Sequence, residues 1–232
     1  MPKISPLPLL AFAASAALIV AATLSVSAET TVSVPAPKEK APETSAISET
    51  IVLAGGCFWG VQGVFQHVDG VQRAVSGYAG GAMKSASYRQ VSTGTTGHAE
   101  AVEVTFDPRK VSLGQILQIY FSVAHDPTEV NRQGPDEGTQ YRSEIFAPDP
   151  AEAKFASAYI AELDAAKVFP KAIATKVEPL AAFYPAEGYH QNYLTLHPSE
   201  PYIAYNDIPK VESLKRQFPA LYREKPVLIA AE

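Results

Sequence analysis

Apolar positions along this chain follow two rhythms, one for strands and one for helices. Ile51 to Ala54 is a short continuous apolar run, as a buried strand shows. Phe58, Val61 and Phe65 then recur at helical spacing up to about His67, ahead of Gly70. Val71 to Tyr78 reads as a second strand, ended by Gly80-Gly81. Between Ala101 and Phe106 the alternation is clean, with Val102, Val104 and Phe106 on one face. Ser112 with Gln115 has the form of a capping box, and Leu113, Ile116, Leu117, Tyr120 and Ala124 follow as a helical stripe. Tyr141 to Phe146 is strand-like. Asp149-Pro150 opens a further helix, along which Phe155, Tyr159, Leu163 and Ala166 recur. Ile173, Thr175 and Val177 alternate, and Lys210 to Phe218 reads as a short amphipathic helix. Mixed strands and helices in this order predict a single α+β domain, a two-layer sandwich whose mixed sheet has flanking helices.

The pattern fails at both ends. Lys3, an apolar stretch from about Leu7 to Leu24, and Val26-Ser27-Ala28 have the form of an export signal over residues 1–28. An uncleaved anchor is the rival, although the run is near the lower length limit for spanning a bilayer. The expected location is outside the cytoplasm, periplasmic or tethered to the membrane. Residues 29–48, with Pro35, Pro37 and Pro42 among polar residues, read as a flexible tether. The folded domain is expected over 49–222, and 223–232 as a tail that frays. A net charge of −5 argues against a nucleic-acid surface.

Cys57 is the only cysteine, in Gly55-Gly56-Cys57-Phe58-Trp59-Gly60. Exported chains normally pair their cysteines. A single thiol there is a liability unless it acts. Placed where a strand turns into a helix, it meets backbone N–H groups and the positive helix end, which favour thiolate. Phe58 and Trp59 supply an aromatic wall. The competing reading is a buried, inert cysteine.

Glu100 shares its face of the alternating strand with Val102, Val104 and Phe106. A carboxyl group at the edge of an apolar face is desolvated and kept protonated, as a general acid requires. A solvated glutamate at a strand end is the alternative. The polar loop from Arg132 to Ser143, holding Asp136 and Tyr141, suits a site wall or a plain loop. Tyr189, His190 and Tyr193 would lie on one side of a helical turn, as site or as core. The five histidines show no ligand spacing, so no metal site is expected. No phosphate-binding glycine motif occurs.

The segment Gly55–Gly60 resembles the signature of A-type peptide methionine sulfoxide reductases, as do Gly77–Gly81, Gly97–Glu100 and Gly138–Ser143. The likeness runs from about Thr50 to Tyr222. It implies Cys57 as nucleophile toward the sulfoxide sulfur and Glu100 as proton donor, with Tyr88 and Tyr141 hydrogen-bonding the sulfoxide oxygen. Phe58 and Trp59 would hold the S-methyl group, and Asp136 and Tyr193 would be polar groups of the site wall. No cofactor is implied, the S epimer is the substrate, free or in proteins, and a monomer is expected. The sequence departs from many members in lacking cysteines near its C-terminus. The sulfenic acid left on Cys57 then needs an external thiol, small or thioredoxin-like. Two rivals stand beside this reading: a Cys–His hydrolase using His98 or His190, and an exported binding module with an inert cysteine.

Overall fold

The computed structural model describes residues 32–230; the export signal expected at 1–28 lies outside them. The elements in order are β1 (Glu49–Ala54), α1 (Phe58–Gln66), β2 (Val71–Ala79), α2 (Tyr88–Val91), β3 (Ala99–Phe106), α3 (Leu113–Ile119), β4 (Arg132–Gln133) and β5 (Asp136–Glu137). They continue with β6 (Glu144–Ala147), α4 (Pro150–Ala165), β7 (Lys176–Pro179), β8 (Phe183–Pro185), α5 (Tyr193–Leu196) and α6 (Ile208–Gln217). Six strands form one mixed sheet in the order β7-β6-β1-β3-β2-β8, and β4 and β5 make a separate hairpin. Among the described strands, only β6 and β7 run parallel. The α+β class with a mixed sheet and flanking helices is as the sequence predicts.

The alternation in β3 decides which face is covered. Val102 stands opposite Leu53 of β1, and Val104 opposite Ile51 of β1 and Ala74 of β2. These residues join Phe65 of α1, Leu117 of α3 and Phe155 of α4 in the main core. Burying such side chains contributes roughly 1.5–3 kcal/mol each. The opposite face holds a smaller cluster of Val52, Ala54, Ala79, Ala99, Ala101 and Phe146.

Both predicted caps form. Ser112 Oγ accepts from Gln115 N at 3.2 Å while Gln115 Oε1 accepts from Ser112 N at 2.9 Å. Asp149 Oδ1 accepts from Ala151 N and Glu152 N, with Pro150 in the first turn of α4. Other boundaries shift. Residues Tyr120–Ala124 widen into a π turn. Thr139–Tyr141 is a 3₁₀ turn, so the strand starts at Glu144. Ile173 and Ala174 donate their N–H groups to Asp164 and Pro127, which delays β7 to Lys176.

Within the expected tether, Val34 and Pro35 are docked on the domain. Val34 is 2% exposed within the main core. Its N–H donates to Ser122 Oγ at 3.3 Å, its carbonyl accepts from Gln118 Nε2 at 2.9 Å, and Tyr159 OH donates to Pro35 O at 2.6 Å. The sequence signal misleads here because one apolar residue amid prolines has no periodicity, yet it fills a gap beside α3 and α4. We expect Val34→Asp to lower unfolding free energy by about 2–4 kcal/mol, since it buries a charge without a partner. Urea denaturation measures this; a loss under about 0.5 kcal/mol, the scale of a neutral surface change, would mean that the docking contributes nothing.

The tail expected to fray is also pinned. Arg223 N donates to His67 O, Val227 N to Gln66 O, and Ile229 N to Asn192 Oδ1 at 2.9 Å. Asn192 Nδ2 answers by donating to Ile229 O at 2.8 Å.

Candidate active site

The placement of Cys57 follows from how β1 ends. Tyr120 OH donates to the Ala54 carbonyl at 2.6 Å, holding the last strand residue. The chain then turns through Gly56 at φ 86°, where a Cβ would come within 2.5 Å of the Gln133 side chain. Only glycine accepts both conditions. Cys57 becomes the N-cap of α1 with φ −56° and ψ 124°. At Gly60 the helix lies directly on Asp207, whose Oδ1 is 2.2 Å from where a Cβ would stand. Cys57 as a residue is half-buried.

Glu100 reaches the same turn from β3. It is 2% exposed, and its Oε2 accepts the N–H of Phe58, the first residue of α1, at 3.1 Å. Burial pushes its carboxyl up to about 8, against the pull of the Phe58 N–H; the Asp136 carboxylate pushes the same way as burial. The solvated alternative for Glu100 is removed by this placement.

Tyr88, Tyr141 and Asp136 converge on this pair from three segments. Tyr141 feels the charges of Glu100, Asp136 and Cys57, and Tyr88 those of Glu100 and Cys57. Burial, then these acids, hold both phenols above their ordinary range, so each remains an O–H donor. Glu187, which the sequence reading missed, fixes Tyr88: its carboxylate accepts from Tyr88 N and from Tyr78 OH, both at 2.9 Å. Arg142 fixes Tyr141 relative to Glu100. It donates to Thr139 O at 2.9 Å on the Tyr141 turn and to Gly97 O at 3.0 Å ahead of β3. Asp136, half-buried, accepts a short hydrogen bond from Tyr202 OH. Burial raises its carboxyl, opposed by Tyr202 and by the Lys210 charge.

The aromatic residues divide into wall and support. Trp59 stacks on Tyr193 with ring centres 3.8 Å apart and planes 9° apart, and Tyr202 meets it edge-on at 6.0 Å. Phe58, expected beside it in the pocket, is 1% exposed and packs under Tyr78 and His190. It supports the site from within, because the first turn of α1 directs its side chain into the core. Tyr189, His190 and Tyr193 do not share one side of a turn. A 3₁₀ turn over Gly188–His190 ends before Asn192, whose φ is 60°, and α5 starts anew at Tyr193. Tyr189 is exposed, His190 buried, and only Tyr193 meets Trp59 by stacking.

The charge on the sulfur differs from expectation. Burial, then the carboxylates of Glu100, Asp207 and Asp136, push the Cys57 thiol well up from its ordinary range. The Trp59 N–H pulls the other way and is outweighed. The helix end was visible in sequence; the three acids came from β3, the β5 hairpin and the segment before α6. This surrounding favours the thiol of Cys57 over the thiolate.

The hydrolase alternative lacks its base. His98 Nδ1 accepts from Gly81 N at 3.2 Å and its Nε2 pairs with Ala82 O at 3.0 Å, so both nitrogens are occupied by backbone. His190 Nδ1 accepts from the Trp59 indole at 3.2 Å, and its buried Nε2 has no hydrogen-bond partner. Neither histidine is bonded to Cys57. A third, His125, is held neutral by burial, down to about 3, and is bonded to Ser143 and Tyr120 O.

The family model described as peptide methionine sulfoxide reductase matches residues 49–221. The peptide methionine sulfoxide reductase MsrA 2 of Mesorhizobium japonicum is 63% identical over 182 residues, covering 78% of this chain and 93% of that protein. A second MsrA 2, from Synechocystis, is 48% identical over 175 residues, covering 75% and 82%. Among solved structures, reduced Mxr1 from Saccharomyces cerevisiae matches with TM-score 0.61 and 35% identity, over 68% of this chain and 91% of that one. Methionine sulfoxide reductase A of Corynebacterium diphtheriae matches with TM-score 0.57 and 35% identity, over 70% and 84%.

Proposed function

The chain belongs to the peptide methionine sulfoxide reductase family and reduces methionine sulfoxide to methionine; for the way its own residues do so, we propose a thiol attack assisted by a single carboxylic acid. The observation that carries this is Glu100, buried behind the nucleophile turn and bound to the first N–H of α1, where burial pushes its carboxyl up to about 8. A sulfoxide oxygen leaves poorly unless it takes a proton, and a neutral carboxyl group facing the sulfur supplies one.

Tyr88 and Tyr141, both O–H donors, hold the sulfoxide oxygen toward Glu100. Trp59, stacked on Tyr193, covers the S-methyl group, and Asp136 lines the polar side. The Cys57 sulfur attacks the sulfoxide sulfur. Glu100 gives its proton to the oxygen and receives the thiol proton in return, so no net proton enters or leaves the site. The sulfur–oxygen bond of the substrate breaks as its hydroxyl passes to the Cys57 sulfur, and the sulfur–sulfur bond made in the attack breaks, so that methionine departs with that bond's electron pair. Cys57 is left as sulfenic acid.

Regeneration follows from composition. Cys57 has no partner cysteine in the chain. An external thiol condenses with the sulfenic acid, releasing water and forming a mixed disulfide. A second thiol equivalent then frees Cys57. A small thiol or a thioredoxin-like protein fits this role. The export signal read at 1–28 supports repair outside the cytoplasm, and the family resemblance supports the S epimer of oxidised methionine, free or in proteins, as the substrate.

A single turnover without reductant tests the scheme. We expect one methionine per chain and one adduct of a sulfenic-acid-specific dione, mapped to Cys57 by mass spectrometry. Repeated turnover without reductant, or product without the adduct, would contradict it.

A further inference from the structure

On the reductase reading, Tyr141 and Cys57 must keep a fixed separation for the sulfoxide to fit between them, and the sheet alone does not hold it. The β1–β6 ladder pairs Val52 with Phe146, Leu53 with Ile145 and Ala54 with Glu144, where it ends. Continued by three residues, the same register would set Cys57 opposite Tyr141, but both segments leave it first. Gly56 turns at φ 86°, and Tyr141 closes a 3₁₀ turn. Between the last ladder pair and the two site residues lies one buried hydroxyl, that of Ser143.

Ser143 is 3% exposed. Its Oγ is 2.7 Å from His125 Nε2, 2.6 Å from Thr175 Oγ1 and 3.0 Å from Tyr120 OH. The partners fix the proton directions. His125 Nδ1 meets the Tyr120 carbonyl at 3.1 Å, and a carbonyl only accepts, so Nδ1 carries the hydrogen. Burial holds the ring neutral, down to about 3, so Nε2 is bare and accepts the Ser143 proton. Thr175 then donates to Ser143. Tyr120 OH, committed to Ala54 O at 2.6 Å, rests against the remaining lone pair of Ser143. Tyr120 and His125 both support the nucleophile turn. Tyr120 holds the Ala54 carbonyl, and His125 packs on Gly55, where a Cβ would come within 2.9 Å of its Cγ. One oxygen, two residues beyond Tyr141, is thus joined to both supports of the Cys57 turn. A buried network whose members are all engaged fixes one arrangement.

We propose that Ser143 is a positioning residue: its hydroxyl ties the Tyr141 turn to the turn that carries Cys57 and sets the gap across which Tyr141 meets the sulfoxide oxygen. It touches no reacting atom. Arg142 ties the same turn to β3, and Ser143 supplies the crossing tether to β1.

Three proteins separate this from a packing role. Ser143→Ala removes the tether. Thr175→Val removes a hydroxyl from the same hub, ahead of β7, and leaves both links to the Cys57 turn intact. Ser143→Ala combined with Tyr141→Phe removes the tether where the positioned hydroxyl is already gone. The rate of methionine formation in a single turnover without reductant is measured in each. We expect Ser143→Ala to slow it by about 10- to 100-fold, the scale of a displacement near 1 Å. KM for methionine sulfoxide, measured with dithiothreitol, should stay close to wild type, because the Trp59 wall is untouched. Thr175→Val should keep a near-wild-type rate although both variants lower the urea midpoint. In Tyr141→Phe protein, Ser143→Ala should cost less than about threefold, since coupled residues are not additive. Crystal structures of wild type and Ser143→Ala should differ in the distance from the Tyr141 phenol oxygen to the Cys57 sulfur by more than about 0.5 Å, the tolerance of a productive site. An unchanged distance would overturn the proposal. So would an equal fold-loss in both backgrounds, or a Thr175→Val protein as slow as Ser143→Ala. Should Ser143→Ala not fold, Tyr120→Phe, which cuts the link to Ala54 O alone, decides by the same comparison of backgrounds. A wild-type protein that forms no methionine would refute the reductase reading, while the crystallographic distance would still decide this one.

Discussion

Glu100→Gln is expected to slow sulfoxide reduction about 100-fold or more, the usual size of a lost general acid. Glutamine keeps an oxygen for the Phe58 N–H that Glu100 accepts at 3.1 Å, so the turn at Cys57 is preserved while the proton is lost. The pH profile discriminates further. With Glu100 titrating at about 8, wild-type kcat/KM should fall above that pH by up to about tenfold per unit, while the Gln variant's residual rate shows no such step. A wild-type rate that instead climbs through pH 8 would show attack by a pre-formed thiolate and overturn the proton relay. Stability should move in the opposite direction. A carboxyl raised in the folded state stabilises it fully below its unfolded value of 4.5, and that contribution is lost as pH rises to about 8. At roughly 1.4 kcal/mol per pH unit, the charged acid costs the fold a few kcal/mol above pH 8. Glu100→Gln should therefore resist urea better than wild type at pH 9, and about equally at pH 4.

Cys57→Ser should abolish turnover, by at least about 10,000-fold, the scale seen when a covalent nucleophile is removed. A hydroxyl in this surrounding is far harder to ionise than a thiol whose ionisation burial and the neighbouring acids already oppose. The replacement is nearly the same size at a partly exposed N-cap, where serine is itself favourable, so the fold should persist. Free-thiol titration must drop to zero, because no other cysteine exists. Methionine formed from the sulfoxide with dithiothreitol at more than about one thousandth of the wild-type rate would place the chemistry on another group.

How much of this was legible beforehand differs by residue. The strand Ala101–Phe106 was readable because one face is apolar at every second position, and the same parity placed Glu100 among buried neighbours. The two helix caps were readable because capping is local, spanning three residues. The role of Cys57 drew on a local motif and on the absence of a partner. Residues whose meaning depends on distant contacts were not readable. Glu187 acts through Tyr78 and Tyr88, 109 and 99 residues away, and Tyr202 through Asp136, 66 residues away. Val34 carries no pattern, yet sits in the core.

By itself, then, the sequence determined the class of fold and pointed to the nucleophile, the acid and the outside thiol proposed above, since each rests on local periodicity, a short motif or a count of cysteines. Only the tertiary structure decided the protonation of Cys57, because that depends on how many carboxylates from other segments surround the sulfur, and electrostatic energy follows distance in space rather than position in the chain. The same holds for Trp59, whose indole N–H donates to His190, 131 residues further along.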